Sequence, residues 1–199
     1  MRTIRIASWT AVAVLLVTLI GVYIFQSVFG RTNGPISAGS SIGVPFTLTD
    51  HDGHAITEKA LTGQPSAVFF GFTHCPEVCP TTLYELSVWF EALGDEGNDL
   101  QAYFITVDPQ RDTPQVMKSY VENFTDRITG ITGDPETVER VARAWNIYWK
   151  KVPLDDGDYT MDHTASIFLV DAKGNFQGTI AYGEENETAL AKLKRLANG

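Results

Sequence analysis

The chain has 199 residues, 44% hydrophobic and 20% charged, an ordinary globular composition that excludes wholesale disorder. Its formal net charge of −9 and the absence of any Lys/Arg run exclude nucleic-acid binding, because a phosphate backbone demands a basic face. No repeat recurs at a solenoid period, and about 160 residues beyond the N-terminal segment are enough for one domain with a real core.

From Ile6 to Phe29 no residue is charged. At about 1.5 Å per residue a helix here spans roughly 36 Å, enough to cross a hydrocarbon core of about 30 Å. The stretch exceeds the apolar region of about 7–15 residues in a cleaved signal peptide. The small-residue cleavage site near Ala38 is poor, and no Cys follows to accept a lipid. Arg2 and Arg5 precede the segment and Arg31 follows it, which puts the N-terminus in the cytoplasm. The expectation is a cytoplasmic tip and transmembrane anchor over 1–30, a Gly-, Ser- and Pro-rich linker over 31–43, and an exported domain over 44–199. With no Arg- and Ser-rich transit peptide ahead of the anchor, the location expected is a bacterial inner membrane, single-pass, with the domain in the periplasm.

Phe46 to Thr57 alternates around Asp52-Gly53 and predicts a hairpin. Ala67 to Phe72 is a continuous apolar run, the mark of a strand buried on both faces. A helix then starts near Pro80, with Leu83, Leu86, Phe90 and Leu93 on one stripe. Ala102 to Val107 is a second buried strand, and Thr113-Pro114 opens a helix through about Phe124. Ile128 to Thr132 reads as a short edge strand. Asp134-Pro135 opens a helix to about Trp145 or Trp149. Ser166 to Val170 and Phe176 to Tyr182 form a hairpin turning at Lys173-Gly174, and Glu185 to Leu196 closes the domain as a helix. Buried strands separated by helices, ending β-β-α, predict an α/β thioredoxin-like fold with a mixed sheet.

The two cysteines of the chain sit together in GFTHCPEVCPTTLYEL, on the loop between the first buried strand and its helix. Pro80 fits the first helical position, since earlier helix would set its ring against the carbonyl of Pro76. Cys79 then sits about at the cap, with Cys75 just before it. A helix N-terminus carries unpaired N–H groups and partial positive charge, which favour the thiolate that binds metal or attacks a disulfide. Three readings stay open: a structural disulfide, a dithiol redox pair and a metal site. Redox pairs of the thioredoxin type usually have two intervening residues, and here there are three, Pro76, Glu77 and Val78.

A metal held by two thiolates needs a third ligand. His51 and His54 flank an exposed turn and read as solvated. His74 adjoins Cys75, but neighbours on extended chain point to opposite sides. His163, in DYTMDHTASIFLVD, precedes a strand whose leading loop approaches the cysteines in a thioredoxin-like topology, which makes it the leading candidate. Met161 is a weaker one. Trp145, Trp149 and Phe124 read as core or rim aromatics.

GFTHCPEVCPTTL, ITVDPQRDTP and DYTMDHTASIFLVDAKGNF together resemble the Sco/SenC family of copper proteins, over about Ile42 to Leu196. The resemblance implies Cys75, Cys79 and His163 as copper ligands, Asp108 as an accessory residue, and a chaperone assembling the binuclear copper A centre of cytochrome c oxidase subunit II. Another periplasmic copper chaperone is a candidate donor, which the sequence itself does not identify. Independently, two soft thiolates suit Cu(I), an added imidazole lets the site accept Cu(II), and structural zinc would ask for four protein ligands. Asp108 and Arg111 also admit a simpler reading as a surface pair. The rival function is a thiol-disulfide oxidoreductase in which Cys75 and Cys79 are the reacting thiols and His163 is dispensable. A peroxidase lacks its P-x-x-x-T-x-x-C pattern here.

Overall fold

The computed structural model describes residue 9 and residues 15–22, 38–41, 44–155 and 157–199. The chain divides into two compact units, Met1–Pro35 and Ile36–Gly199. In the first, residues 15–22 are helical, with Leu15, Leu16 and Leu19 exposed. No helix among the described residues is long and apolar enough to cross a membrane, and much of the expected Ile6–Phe29 span lies outside them.

The second unit opens with the expected hairpin, β1 (Thr47–Asp50) and β2 (Ala55–Thr57), paired with Leu48 opposite Ile56. Its turn is closed by Asp50, whose carboxylate accepts from the backbone N–H groups of Asp52 and His54. In the interior of the sheet lies β3 (Ser66–Gly71), buried at all six residues. It pairs in parallel with β4 (Gln101–Thr106), which pairs in parallel with β5 (Ile128–Thr132). On its other side β3 meets β8 (Ile167–Val170) antiparallel, and β9 (Phe176–Ile180) follows as the edge. The seven-stranded order is β2-β1-β5-β4-β3-β8-β9, the mixed sheet that the pattern predicts.

Four helices complete the layers: α1 (Val78–Leu93), α2 (Pro114–Val121), α3 (Pro135–Ala144) and α4 (Asn186–Ala197). The stripe Leu83, Leu86, Phe90 and Leu93 is buried, and Trp89 donates its indole N–H to Asn186 at 2.9 Å, joining α1 to α4. Thr113 and Asp134 cap α2 and α3 through their side chains, each followed by Pro at the first helical position.

The structure departs from expectation in several places. β5 is interior, because β1 pairs on its outer side through Thr49–Thr132 and Asp50–Ile131. α2 stops at Val121, and Asn123 and Phe124 only continue as a turn. α3 stops at Ala144, since Asn146 takes a left-handed φ of 52° that no helix propagates. Trp149 instead begins β6 (Trp149–Pro153), which pairs with β7 (Tyr159–His163) in a separate two-stranded sheet that the sequence pattern did not suggest. α1 begins at Val78, two residues before Pro80. Pro80 is tolerated there because its missing N–H falls among the unpaired donors of the first turn and Pro76 precedes the helix.

The end of β3 is tightly packed. A Cβ on Gly71 would lie 2.7 Å from Cys79 Sγ and 2.7 Å from a ring carbon of Phe104. Gly71→Ala is therefore expected to destabilise the domain by about 1–3 kcal/mol, the usual cost of overpacking a core. A urea melt checks this, and an unchanged midpoint would show that the strand end has room to spare.

Candidate metal centre

The centre is built where β3 hands the chain to α1. Phe72 is fully buried and its carbonyl accepts from Cys75 N–H at 3.3 Å. The first intrahelical bond of α1 runs from Thr81 N–H to Glu77 carbonyl, so Val78 and Cys79 N–H have no helical partner. Glu77 offers no side-chain cap. Cys75 fills that role instead: its Sγ accepts from Cys79 N–H at 3.3 Å. A sulfur thus stands where a Ser or Asp oxygen would cap, at the positive end of the helix.

His163, the last residue of β7, is brought in from the far side of the sequence, opposite Trp149. Its Nδ1 lies 2.9 Å from the Thr164 carbonyl, which can only accept, so the proton belongs on Nδ1. The lone pair of Nε2 is left to face Cys79 Sγ at 3.4 Å. Edge-on contacts with Phe69 and Phe72, at 6.0 and 5.7 Å between centroids, fix the plane of the imidazole. The two sulfurs and one imidazole nitrogen all lie within 4.8 Å of one another. Cys79 is buried while Cys75 and His163 are half-buried, so the cluster is reachable from one side.

The two thiols are electrostatically unlike. Hydrogen bonding from the Cys79 thiol, together with backbone N–H groups, outweighs desolvation and lowers Cys75 to about 4. Burial, reinforced by the hydrogen bond and charge of Cys75, pushes Cys79 well above the usual thiol range. In the metal-free state one thiolate and one thiol share the site.

Asp112, which the sequence reading passed over, underpins this loop. It is fully buried and accepts from Thr73 N–H at 3.1 Å, Thr73 hydroxyl at 2.6 Å and Thr106 hydroxyl at 2.5 Å. It thereby ties the end of β4 to the segment leading into Cys75. Burial raises its pKa against those hydrogen bonds. The signal available in the sequence was the second Asp of DPQRDTP, directly before the cap of α2.

Other candidates fall outside the cluster. His74 Nδ1 lies 3.1 Å from Thr73 Oγ1 and 3.9 Å from Asp112 Oδ1. His54 is exposed as expected, but His51 is not: its side chain is 17% accessible and its Nδ1 accepts from Gly130 N–H at 2.8 Å. The turn folds back on β5, which a reading of the turn alone leaves out. Met161 lines a pocket with Val107, Asp108 and Trp149. Trp145 is core, while Trp149 and Phe124 pack against it half-buried. Asp108 is 4% accessible and paired with Arg111 rather than lying on the surface.

Fold and cluster together define a thioredoxin-like domain in which two thiols and one imidazole converge closely enough to hold a metal ion. The SCO1/SenC family model matches residues 35–198, and the chain belongs to that family. It is 40% identical over 144 residues to the mitochondrial protein SCO1 homolog 1 of Arabidopsis thaliana, covering 72% of this chain. That match spans 43% of the Arabidopsis protein's length. The fold is similar to Bradyrhizobium japonicum ScoI with copper bound, at 48% identity and a TM-score of 0.72, covering 78% of this chain and 99% of that one. It is also similar to yeast Sco1 with copper bound, at 34% identity and a TM-score of 0.73, covering 80% and 90%.

The inequality of the thiols has a direct readout. In reduced, metal-free protein Cys75 is expected to be alkylated first, and Cys79 slowly. The thiolate is the reacting form, and Cys75 stays ionised until the pH falls through about 4. Its rate should hold level as the pH is lowered from neutrality to about 5, where an ordinary thiol of pKa about 8.5 slows tenfold per unit. Site-resolved mass spectrometry checks it, and an ordinary tenfold-per-unit fall at Cys75 would refute the assignment.

Proposed function

We propose that the protein is a copper metallochaperone that carries one ion on Cys75, Cys79 and His163 and delivers it to the copper A centre of cytochrome c oxidase subunit II. The observation that carries this reading is the convergence of the three donor atoms within 4.8 Å at a half-open helix terminus. Two sulfurs supply the soft pair that holds Cu(I), and the fixed Nε2 adds the harder donor that Cu(II) prefers. Three protein donors with access from one side suit an ion that must leave again, whereas structural zinc is normally enclosed by four. Membership of the SCO1/SenC family and the copper-bound structures of its relatives support the choice of metal. The oxidase target rests on the family resemblance. A periplasmic copper chaperone is the proposed donor.

Copper is expected to bind one ion per domain, with thiolate-to-Cu(II) charge-transfer absorption when the ion is cupric. Cys75→Ser and Cys79→Ser each abolish tight binding. His163→Ala weakens Cu(II) far more than Cu(I), which two thiolates hold linearly. An unchanged Cu(II) spectrum in His163→Ala would remove the histidine from the ligand set. Transfer is followed as copper A absorption appearing in a metal-free subunit II domain.

A second reading, thiol-disulfide exchange on that partner or another exported one, draws support from the depressed pKa of Cys75. It requires both cysteines but not His163, so retained reductase activity in His163→Ala separates the two.

The proposed setting is a single-pass anchor over 1–30, a linker over 31–43 and an exported copper-binding domain over 44–199, in a bacterial inner membrane with that domain in the periplasm. The uncharged Ile6–Phe29 stretch and its Arg2/Arg5 flank support it. Fused after Gly199, a reporter active only in the periplasm is expected to work. Activity from a cytoplasm-only reporter instead would reverse the topology.

A further inference from the structure

The cysteines and the histidine are held by different parts of the fold. Cys75 and Cys79 sit on the junction of β3 and α1, in the middle of the seven-stranded sheet. His163 ends β7, which among the described residues pairs with β6 and makes no ladder with that sheet. An isolated two-stranded hairpin is marginal in water. Side chains that fasten this hairpin to the rest of the domain therefore help to place His163, beside the Thr164 N–H bond to the Tyr148 carbonyl and the rings of Phe69 and Phe72.

One such fastening is a closed ring of three residues. Arg111, on the loop after β4, donates from Nε to Asp108 Oδ2 at 2.5 Å. From Nη1 it donates to the Tyr159 carbonyl at 2.9 Å and to Asp158 Oδ1 at 3.3 Å, both on the hairpin. Its guanidinium carbon lies 3.7 Å from the centre of the Tyr159 ring. Tyr159 closes the ring by donating its hydroxyl to Asp108 Oδ1 at 2.9 Å. The side chains of Arg111 and Asp108 are only 16% and 5% accessible, so the bond between them is shielded from water, whereas Asp158 is 60% accessible. The same guanidinium stands 5.9 Å from the Phe72 ring, which in turn meets the His163 imidazole edge-on.

We propose that Arg111, with Asp108 and Tyr159, is a positioning clasp that seats the hairpin so that His163 Nε2 reaches the two sulfurs. This rests on the copper-site reading above and gives the DPQRD segment a specific task. Neither Arg111 nor Tyr159 touches the metal; both act through the histidine. Opening the clasp should leave the thiols in place and withdraw the imidazole, so its effect is selective for the oxidation state that needs nitrogen.

Two variants test this. Arg111→Gln removes the cation and leaves the Asp108 carboxylate buried without its partner, which costs stability generally. Tyr159→Phe is the milder change, deleting one hydroxyl and keeping the ring beneath the guanidinium. In metal-free protein, amide exchange across residues 149–163 should quicken in Tyr159→Phe while exchange in β3 stays at the wild-type rate. Cu(II) affinity should fall by about 10–100-fold, the usual effect of removing a residue that orients a ligand. Cu(I) affinity should change far less. Combined with His163→Ala, neither variant should lower Cu(II) affinity further, since the interaction it serves is already gone. Unchanged amide exchange in the hairpin overturns the clasp whatever the copper result. Losses that add fully to His163→Ala, or that are equal for Cu(I) and Cu(II), overturn it as well. The copper-site reading fails by a separate observation, wild-type protein that binds no stoichiometric copper.

Discussion

Everything at the candidate centre depends on how closely the first turn of α1 is pressed against the end of β3. The absent side chain of Gly71 leaves the space that Cys79 Sγ occupies. That contact buries one sulfur completely and fixes the helix start, leaving the first-turn N–H groups facing the loop. Cys75 then has one favourable place to be, over the unpaired N–H of Cys79. A buried strand, a glycine at its end and a helix terminus thus convert two cysteines four residues apart into two chemically distinct sulfurs. Neither burial nor the helix terminus would do this alone. Burial by itself raises both thiols, and an exposed helix terminus lowers both modestly.

A buried carboxylate below the loop completes that half of the centre. Asp112 satisfies three donors from Thr73 and Thr106, and so couples the end of β4 and the DPQRDTP loop to the segment carrying the cysteines. Its neighbour Asp108 reaches the other way, toward the hairpin, through Arg111 and Tyr159. One short acidic loop after β4 therefore contacts both halves of the metal centre. The Asp108 backbone N–H even shares the Thr106 hydroxyl with Asp112, at 2.8 Å. The two halves are thus joined by a continuous run of buried and part-buried hydrogen bonds.

Much of this was legible in the residues. The apolar runs of β3 and β4 and the stripe of α1 announce themselves by period, and the caps of α2 and α3 by Thr113-Pro114 and Asp134-Pro135. The three clustered side chains were legible from the Cys spacing and the place of His163 ahead of β8. The β6–β7 hairpin was not, for a physical reason. WKKVP and YTMDH are largely exposed or half-buried strands whose stability comes from side chains distant in sequence, so they carry little local pattern. Asp112 escaped for the same reason: burial of a carboxylate is decided by Thr73, thirty-nine residues away. The interior position of β5 likewise depends on β1 returning to pair with it, which no local window contains.

The separate mounting of the ligands bears on how an ion is held and released. The two sulfurs lie on one rigid junction, so a cuprous ion satisfied by two thiolates need not involve the hairpin at all. A cupric ion calls for the imidazole, and the imidazole comes with a hairpin tied to the domain by side chains rather than by a strand ladder. On the copper-site proposal, closing the hairpin would therefore favour the oxidised metal, and opening it the reduced one. By linkage the converse would hold: the oxidation state of the ion would bias the position of the hairpin. A partner that contacts the hairpin would then alter the metal preference of a site whose sulfurs it never touches.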